Sequence, residues 1–325
     1  MAELVKLTDI IAPAFYPVFW DVQTGKHTYY DLYGGRGSTK SSFVAAAIVL
    51  GVMQDPKANA AVFRKVASTI STSVYEQVLW AIDVLGVSHF WRCTSSPLKM
   101  TYIPTGQVII FRGLDKAGKL KSLKVANGYF KFLWFEELDE FSGEEEIRSV
   151  QQSVLRGGSK YVVFKTFNPP ISVSNWANQH VAVPAQSTLR HKSCYLDVPC
   201  DWLGQQFFND ADELKRVNPR AYEHEYLGNP IGTGGEVFDN LVIDELPDEQ
   251  VSAFDKIYMG IDWGWYPDPF HWSKMHYDSA RRALFVFDEY RTNKKATGKH
   301  GTLCKQSRVL PQTMSSQQIA PNQKA

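Results

Sequence analysis

Cysteine is scarce in this chain. The 325 residues contain four, at Cys93, Cys194, Cys200 and Cys304. No two of them form a C-x-x-C pair, and none stands beside a cluster of histidines. This spacing argues against a zinc site and against a disulfide framework. We therefore expect the protein to work in a reducing compartment.

Long apolar runs and an excess of one charge are also missing. The longest apolar run, residues 43–53, is too short to span a bilayer, and the first residues carry no signal-peptide hydrophobic segment. Lys and Arg number 35 against 34 Asp and Glu, so the net charge is +1. This balance neither indicates nor excludes a nucleic-acid partner. We expect a cytoplasmic protein with no membrane partner.

Apolar residues are abundant and arranged in alternating strand and helix patterns. The chain is 44% hydrophobic and 13% aromatic, which predicts a globular protein with room for two domains. Short apolar runs alternate with helical spacing, as over residues 68–85, and residues 99–103 and 108–112 suggest an inserted hairpin. The alternation predicts an α/β fold with a mainly parallel sheet and helices on both faces.

A glycine-rich segment stands between a predicted strand, residues 27–33, and an apolar helix, residues 42–53. It comprises Gly34, Gly35, Arg36, Gly37, Ser38, Thr39, Lys40 and Ser41. A turn of this kind surrounds phosphates with backbone N–H groups and one ammonium, and leaves the Ser41 hydroxyl free to bind Mg²⁺. We interpret it as a P-loop. The alternative is a glycine-rich turn with a solvated lysine.

Thr39 departs from the P-loop pattern G-x-x-x-x-G-K-[ST], which has glycine at that position. If the backbone there needs a positive φ, a β-branched residue costs roughly 1–2 kcal/mol. If φ is negative, threonine costs little.

Two carboxylates, Glu136 and Glu137, end the apolar strand predicted over residues 131–135. P-loop enzymes need one acid there to hold the Mg²⁺ shell and a second to orient or deprotonate the attacking water. We assign these roles to Glu136 and Glu137 in that order. The alternative is a solvated strand end.

Asn168 follows a third buried strand, residues 161–166, and precedes two prolines. The carboxyl edge of a parallel sheet is where a group that senses the γ-phosphate is expected. The alternative is an ordinary Asn-Pro turn.

These segments together resemble the large terminase subunit of tailed bacteriophages, of the prophage PBSX-like type. Residues 195–199, Tyr-Leu-Asp-Val-Pro, and residues 222–228, Tyr-Glu-His-Glu-Tyr-Leu-Gly, add to the resemblance, which extends over about residues 10–295. It implies an ATP-hydrolysing motor that translocates double-stranded DNA into the procapsid. The implied partners are the capsid portal protein, the terminase small subunit and further copies in a homo-oligomeric ring. The implied location is the bacterial host cytoplasm and, transiently, the portal vertex.

The resemblance also implies roles for single residues. It makes Lys40 and Ser41 ligands of the phosphates and of Mg²⁺, and Arg36 a catalytic group that contacts the γ-phosphate or signals its loss. Glu136 becomes a metal ligand and Glu137 the catalytic carboxylate. Residues 166–168, including Asn168 at the nucleotide, become the element that couples hydrolysis to movement. Residues 67–75 and 119–124 carry Lys and hydroxyl groups that could contact the DNA backbone.

The same resemblance implies a C-terminal RNase H-like nuclease. Residues 260–264 match its first strand, with Asp262 as a catalytic residue and first ligand of Mg²⁺ or Mn²⁺. Asp288 and Glu289 are expected to be outer or surface groups. No Asp or Glu follows Glu289. We therefore expect a partial nuclease domain with little or no cutting activity, since one carboxylate cannot build a two-metal centre.

We predict four segments: an ATPase domain over 1–228, a linker and lead-in over 229–255, a partial RNase H-like domain over 256–296, and a disordered tail over 297–325. Back-translated and read in another frame, residues 311–324 can spell an acidic motif, so we hypothesise a frameshift near Thr297.

Two alternatives for function stay open: a non-packaging, helicase-like P-loop ATPase, and an inactive remnant of a defective prophage.

Overall fold

The computed structural model of the chain describes residues 5–115, 123–232, 242, 244–264 and 268–293. Its internal contacts divide the chain into two compact units, residues 1–237 and 238–325. None of the described helices is long and apolar enough to cross a membrane.

Among the described residues, the first unit contains one sheet of eight strands. They are β1 (Tyr29–Gly34), β2 (Ala58–Arg64), β3 (Trp91–Ser95), β4 (Leu98–Tyr102), β5 (Val108–Gly113), β6 (Tyr129–Glu136), β7 (Val162–Phe167) and β8 (Thr188–Ser193). Their order is β3-β4-β5-β2-β6-β7-β1-β8. The six strands from β5 to β8 pair in parallel, whereas β3 and β4 pair antiparallel at one edge. The predicted α/β fold with a mainly parallel sheet is confirmed.

Helices cover both faces of this sheet. They are α1 (Tyr16–Thr24), α2 (Lys40–Gln54), α3 (Val74–Val84), α4 (Glu144–Val154), α5 (Trp176–Ala182), α6 (Cys200–Leu203), α7 (Gln205–Val217) and α8 (Pro219–Glu225). Short 3-10 turns lie at Leu7–Asp9, Pro13–Phe15, Ala67–Thr69, Ser88–Phe90, Leu138–Glu140 and Tyr195–Asp197. One core packs α1, α2 and α3 on the sheet, with Phe43 and Trp134 at its centre. The second core packs α4 and α5 on the opposite face, around Phe135 and Ile147.

The strand order decides where chemistry can occur. The strands β6, β7 and β1 are neighbours and run in the same direction, so their carboxyl ends share one edge of the sheet. The helix α2 begins at that edge, directly after the loop that leaves β1. It is apolar on all sides and buries ten of its residues, which fixes its first turn against the sheet.

The third helix is shorter than its apolar spacing predicts. It begins at Val74 rather than near Ser68. The preceding residues are rich in Ser and Thr, whose hydroxyls bond nearby carbonyls: Thr69 donates to the Val66 carbonyl at 3.0 Å and Ser73 to the Thr69 carbonyl at 2.7 Å. Such local bonds compete with helix formation.

The described residues of the second unit form α9 (Asp248–Ser252) and three strands, β9 (Tyr258–Asp262), β10 (Phe270–Asp278) and β11 (Ala283–Thr292). These strands form an antiparallel sheet in the order β11-β10-β9. The Phe254 ring, which follows α9, stacks on His276 with 4.2 Å between ring centroids.

The predicted linker is described only in part. Residues 229–232 belong to the first unit and are bonded within it. Ile231 N–H donates to the Ile171 carbonyl at 3.1 Å, and Val173 N–H donates to the Gly232 carbonyl at 2.8 Å. Residues 233–241 and the predicted tail from Thr297 lie outside the described residues, as do residues 119–122 of the second predicted DNA-contacting segment.

Candidate active site

A cavity of about 300 Å³ lies at the carboxyl edge of the parallel sheet. The residues that line it are Gly35, Arg36, Gly37, Ser38, Thr39, Lys40, Ser41, Ser42, Gln77, Glu136, Glu137, Thr166, Phe167 and Asn168. The structure thus brings the glycine-rich loop after β1, the two glutamates at the end of β6 and the asparagine after β7 around one space. Gly34 does not line the cavity.

Lys40 is held at the mouth of the loop by oxygen atoms. Its Nζ donates to the carbonyls of Gly34 at 3.2 Å and Gly35 at 3.0 Å, to Ser38 Oγ at 2.8 Å, and to Asn168 Oδ1 at 2.9 Å. Burial lowers the pKa of Lys40 to about 7. The four oxygens around Nζ favour the charged ammonium, and an anion bound here would favour the charged form further.

Glu136 is a buried carboxylate beside the loop. Burial raises the pKa of Glu136 to about 7; Arg64 opposes this rise, Glu137 adds to it, and a hydrogen bond with Ser41 lowers it. Its Oε2 is buried without a hydrogen-bond partner among the described residues, and Arg64 Nε lies 3.5 Å away. A buried carboxylate oxygen next to a serine hydroxyl supplies the hard oxygen ligands that Mg²⁺ prefers.

Glu137 stands at a strained point of the backbone. Its φ is 52° and its ψ is 62°, in the left-handed region that residues other than glycine seldom adopt. This turn directs the chain away from β6 and leaves the Glu137 side chain 46% exposed at the cavity. Non-glycine residues in this region are concentrated at functional sites.

Arg64 holds the acidic groups together, although no role was predicted for it from the sequence. It ends β2, next to β6, and is buried. Its guanidinium bonds to Glu137 Oε2 and lies 3.8 Å from Glu140 Oε1. Burial, together with a hydrogen bond to Glu137, raises the pKa of Glu140 to about 7. The signal available in the sequence was a charged residue at the end of an otherwise apolar strand.

Asn168 bonds Lys40 and so connects the end of β7 to the loop. Below it, the Trp134 indole N–H donates to Thr166 Oγ1 at 2.9 Å, and both side chains are buried. The strand that ends in the two glutamates is thereby bonded to the strand that ends in Asn168.

Thr39 adopts a positive φ of 58° with ψ 21°. A positive φ is the costly case for a β-branched residue such as threonine. Its Oγ1 is buried without a hydrogen-bond partner among the described residues.

Arg36 is exposed at the rim of the cavity. Its backbone N–H donates to the Glu225 carbonyl at 2.9 Å, which ties the loop to the end of α8.

A second cavity of about 770 Å³ shares Thr39, Ser41, Ser42, Gln77 and Glu136 with the first. It continues towards Ile10 in the N-terminal segment, Trp80 on α3 and Trp202 on α6. Trp80 is 38% exposed. The polar cavity at the glycine-rich loop therefore adjoins a wider cavity whose lining includes two tryptophan side chains.

The chain is similar to known phage proteins. The family described as phage terminase large subunit matches residues 26–229. The terminase large subunit of Bacillus phage SPP1 is 40% identical over 294 residues, which cover 88% of this chain and 69% of that protein. The chain belongs to the phage terminase large subunit family.

A second relative is the PBSX phage terminase large subunit of Bacillus subtilis strain 168. It is 27% identical over 298 residues, which cover 83% of this chain and 65% of that protein. The chain thus spans about two thirds of the length of these relatives.

A solved structure shows the same fold. The large terminase of a thermophilic bacteriophage, in complex with ADP, has a TM-score of 0.54 and 14% identity, over 91% of this chain and 73% of that chain. The predicted resemblance to large terminases is confirmed.

In the described part of this family member, Asp262 does not belong to a comparable group of side chains. It ends β9 and is exposed, opposite His271 on β10. Within the described ranges, no three His, Cys, Asp or Glu side chains converge to hold a metal ion. The expected role of Asp262 stays a prediction.

Proposed function

We propose that the chain hydrolyses ATP at the cavity between the glycine-rich loop, the β6 glutamates and Asn168, and that it couples this reaction to movement of double-stranded DNA. One observation carries the proposal: Lys40, Glu137 and Asn168, distant in sequence, line a single cavity. Family membership favours packaging over the helicase-like alternative, and the assembled set of side chains gives no support to an inactive remnant.

Lys40 and the loop N–H groups bind the phosphates in this proposal. Gly35 and Arg36 use their N–H groups on protein carbonyls, those of Ser193 at 3.1 Å and Glu225 at 2.9 Å. The donors for phosphate are therefore the N–H groups that follow, at the N-terminus of α2. Arg36 contacts the γ-phosphate from the rim.

Ser41 and Glu136 would hold Mg²⁺, in keeping with the neighbouring hydroxyl and with a Glu136 oxygen that accepts no hydrogen bond from the described residues. When bound, the ion neutralises charge on the phosphate oxygens. Since Mg²⁺ keeps several waters and few protein ligands, two side chains suffice.

Glu137 orients the attacking water and takes its proton as the water oxygen attacks the γ-phosphorus in line with the departing ADP oxygen. Arg64 acts as a positioning residue, because its bond to Glu137 fixes where that carboxylate points. Asn168 reports on the γ-phosphate through its bond to Lys40.

The wider cavity accepts the base and ribose. It adjoins the loop at Ser41 and Ser42, and its walls include Trp80 and Trp202, whose rings can contact a purine.

Packaging requires partners outside this chain. We propose double-stranded DNA, a capsid portal protein, a terminase small subunit and further copies of the chain in a ring, acting in the host cytoplasm and at the portal vertex. Residues 67–75 and 119–124 remain proposed contacts of the DNA backbone.

Cutting of DNA is a separate proposal. Asp262 is the proposed first metal ligand of an RNase H-like centre, and the described part of the second unit supplies no converging partners. We propose that this chain cuts DNA very weakly or not at all. A plasmid linearised by the purified chain with Mn²⁺, with the activity lost in Asp262→Ala, would refute this.

The test of the ATPase proposal uses two variants of the cavity. Glu137→Gln keeps the shape and removes the proton acceptor, so ATP hydrolysis falls by about 10²- to 10⁴-fold while ATP still binds. Lys40→Ala loses both binding and hydrolysis. Phosphate release and fluorescent-ATP binding are measured on the full chain. Hydrolysis that survives in both variants refutes the site.

A further inference from the structure

The glycine-rich loop has an outer side, away from the cavity, that packs on other parts of the first unit. Gly34 lies against the Ser193 backbone and Gly35 against the carbonyl of Tyr226, each so closely that a Cβ would not fit. Gly228 packs on Gly34 in the same way. The first half of the loop is therefore fixed by backbone from β8 and from the segment after α8.

Gly37, in the middle of the loop, packs on the ring of Phe207. Gly37 has a φ of 73°, and a Cβ added there would lie 2.6 Å from Phe207 Cζ and 3.1 and 3.2 Å from its two Cε atoms. These are the three nearest atoms, and all belong to the ring of Phe207. The residues that follow Gly37 carry the N–H groups left free for phosphate.

Phe207 is itself held by an aromatic cluster. Its ring centroid lies 5.3 Å from that of Tyr226, 5.7 Å from that of Tyr195 and 6.2 Å from that of Phe208. The Tyr195 and Tyr222 hydroxyls bond each other at 3.0 Å in the middle of the cluster. Since aromatic rings packed in this way have little freedom, Phe207 offers the loop a rigid support.

We propose that Phe207 is a positioning residue for the nucleotide phosphates: its ring fills the space behind Gly37 and sets the turn before ATP arrives. This inference rests on the proposed ATP site. A loop that is already ordered loses less freedom when the ligand binds, so the support strengthens binding rather than the chemical step. Removing it raises the KM for ATP and leaves kcat almost unchanged.

Phe208 provides a matched control. It lies on the same helix, is half-buried like Phe207, and its ring centroid is also 5.7 Å from that of Tyr195. Phe207→Leu and Phe208→Leu therefore remove comparable packing from the cluster. We expect Phe207→Leu to raise the KM and the Kd for ATP by about tenfold, equivalent to ~1.4 kcal/mol. Phe208→Leu changes either constant by less than about twofold at a similar melting temperature.

A second pair of variants adds an atom instead of removing several. Phe207→Tyr places a hydroxyl on the Cζ atom that faces Gly37, so the loop must shift and the Kd for ATP rises; Phe208→Tyr leaves the Kd unchanged. Equal effects in the Phe207 and Phe208 variants, or no effect in either, overturn the inference. Wild-type chain that neither binds nor hydrolyses ATP refutes the proposed function itself, and the two failures are thereby distinguished.

Discussion

The two sheets of this molecule differ in whether they bring acidic residues together with other polar groups at one edge. In the first unit, β1, β6 and β7 are parallel, so the polar groups that follow them meet at one edge. In the second unit, β9, β10 and β11 are antiparallel, and the strand end that carries Asp262 is next to the beginning of β10. An acidic residue at a strand end can form a catalytic or metal-binding site when the topology brings further ligands to the same end.

Among the changes that compare the two units, loss of the lysine in the first unit should have the largest effect. Lys40→Ala removes the ammonium at the phosphates, and ATP hydrolysis should fall by about 10²- to 10³-fold. Asp262→Ala should leave ATP hydrolysis within about twofold, because that side chain is exposed in the second unit. Steady-state phosphate release measures both. If Asp262→Ala loses as much activity as Lys40→Ala, the two sheets do not differ in the way described.

Loss of the arginine fork behind the glutamates should have a smaller effect. Arg64→Lys keeps the charge but cannot bond Glu137 and pair with Glu136 at once, so kcat should fall by about 10- to 100-fold while the KM for ATP changes little. The control is Arg148→Lys, since Arg148 is 61% exposed and pairs loosely with Glu145 at 4.0 Å. A rise in KM with unchanged kcat would mean that Arg64 acts on nucleotide binding instead.

The sequence was sufficient to predict the strands that carry the loop, the glutamates and Asn168, because each is an apolar run ending in polar residues. It did not indicate which strand ends are neighbours, and this is why Arg64 was missed: its role depends on β2 lying beside β6. It also gave no sign of Phe207, since a phenylalanine in an amphipathic helix is ordinarily a core residue. The strands β3 and β8 were not predicted, since β3 is half polar and β8 carries Arg190 and Lys192.

The buried carboxylate of the first unit should make stability depend on pH. Burial raises the pKa of Glu136 from 4.5 to about 7, so the folded protein favours the protonated carboxyl. The contribution of this carboxyl to the free energy of unfolding is fully present below pH 4.5 and is lost as the pH rises from there through 7. Glutamine cannot ionise, and Glu136→Gln should therefore be more stable than wild type by about 3 kcal/mol at pH 8 and nearly equal at pH 4.

Urea unfolding at the two pH values, without nucleotide or Mg²⁺, measures this difference. The control is Glu145→Gln, because Glu145 is 95% exposed and its charge is solvated in both states. An equal gain at both pH values would show that burial of the charge is not the cause.

The smallest effect concerns the backbone of the loop. Thr39 holds φ at 58°, where a side chain costs roughly 1–2 kcal/mol and glycine costs nothing. Glycine also adds entropy to the unfolded chain, which offsets part of that gain. Thr39→Gly should therefore raise the free energy of unfolding by no more than about 1 kcal/mol and leave kcat within about twofold. Thr39→Ala separates the two features of the threonine, since it removes the buried hydroxyl but keeps the Cβ. If the alanine variant gains as much stability as the glycine variant, the partnerless hydroxyl and not the positive φ is the source of the cost.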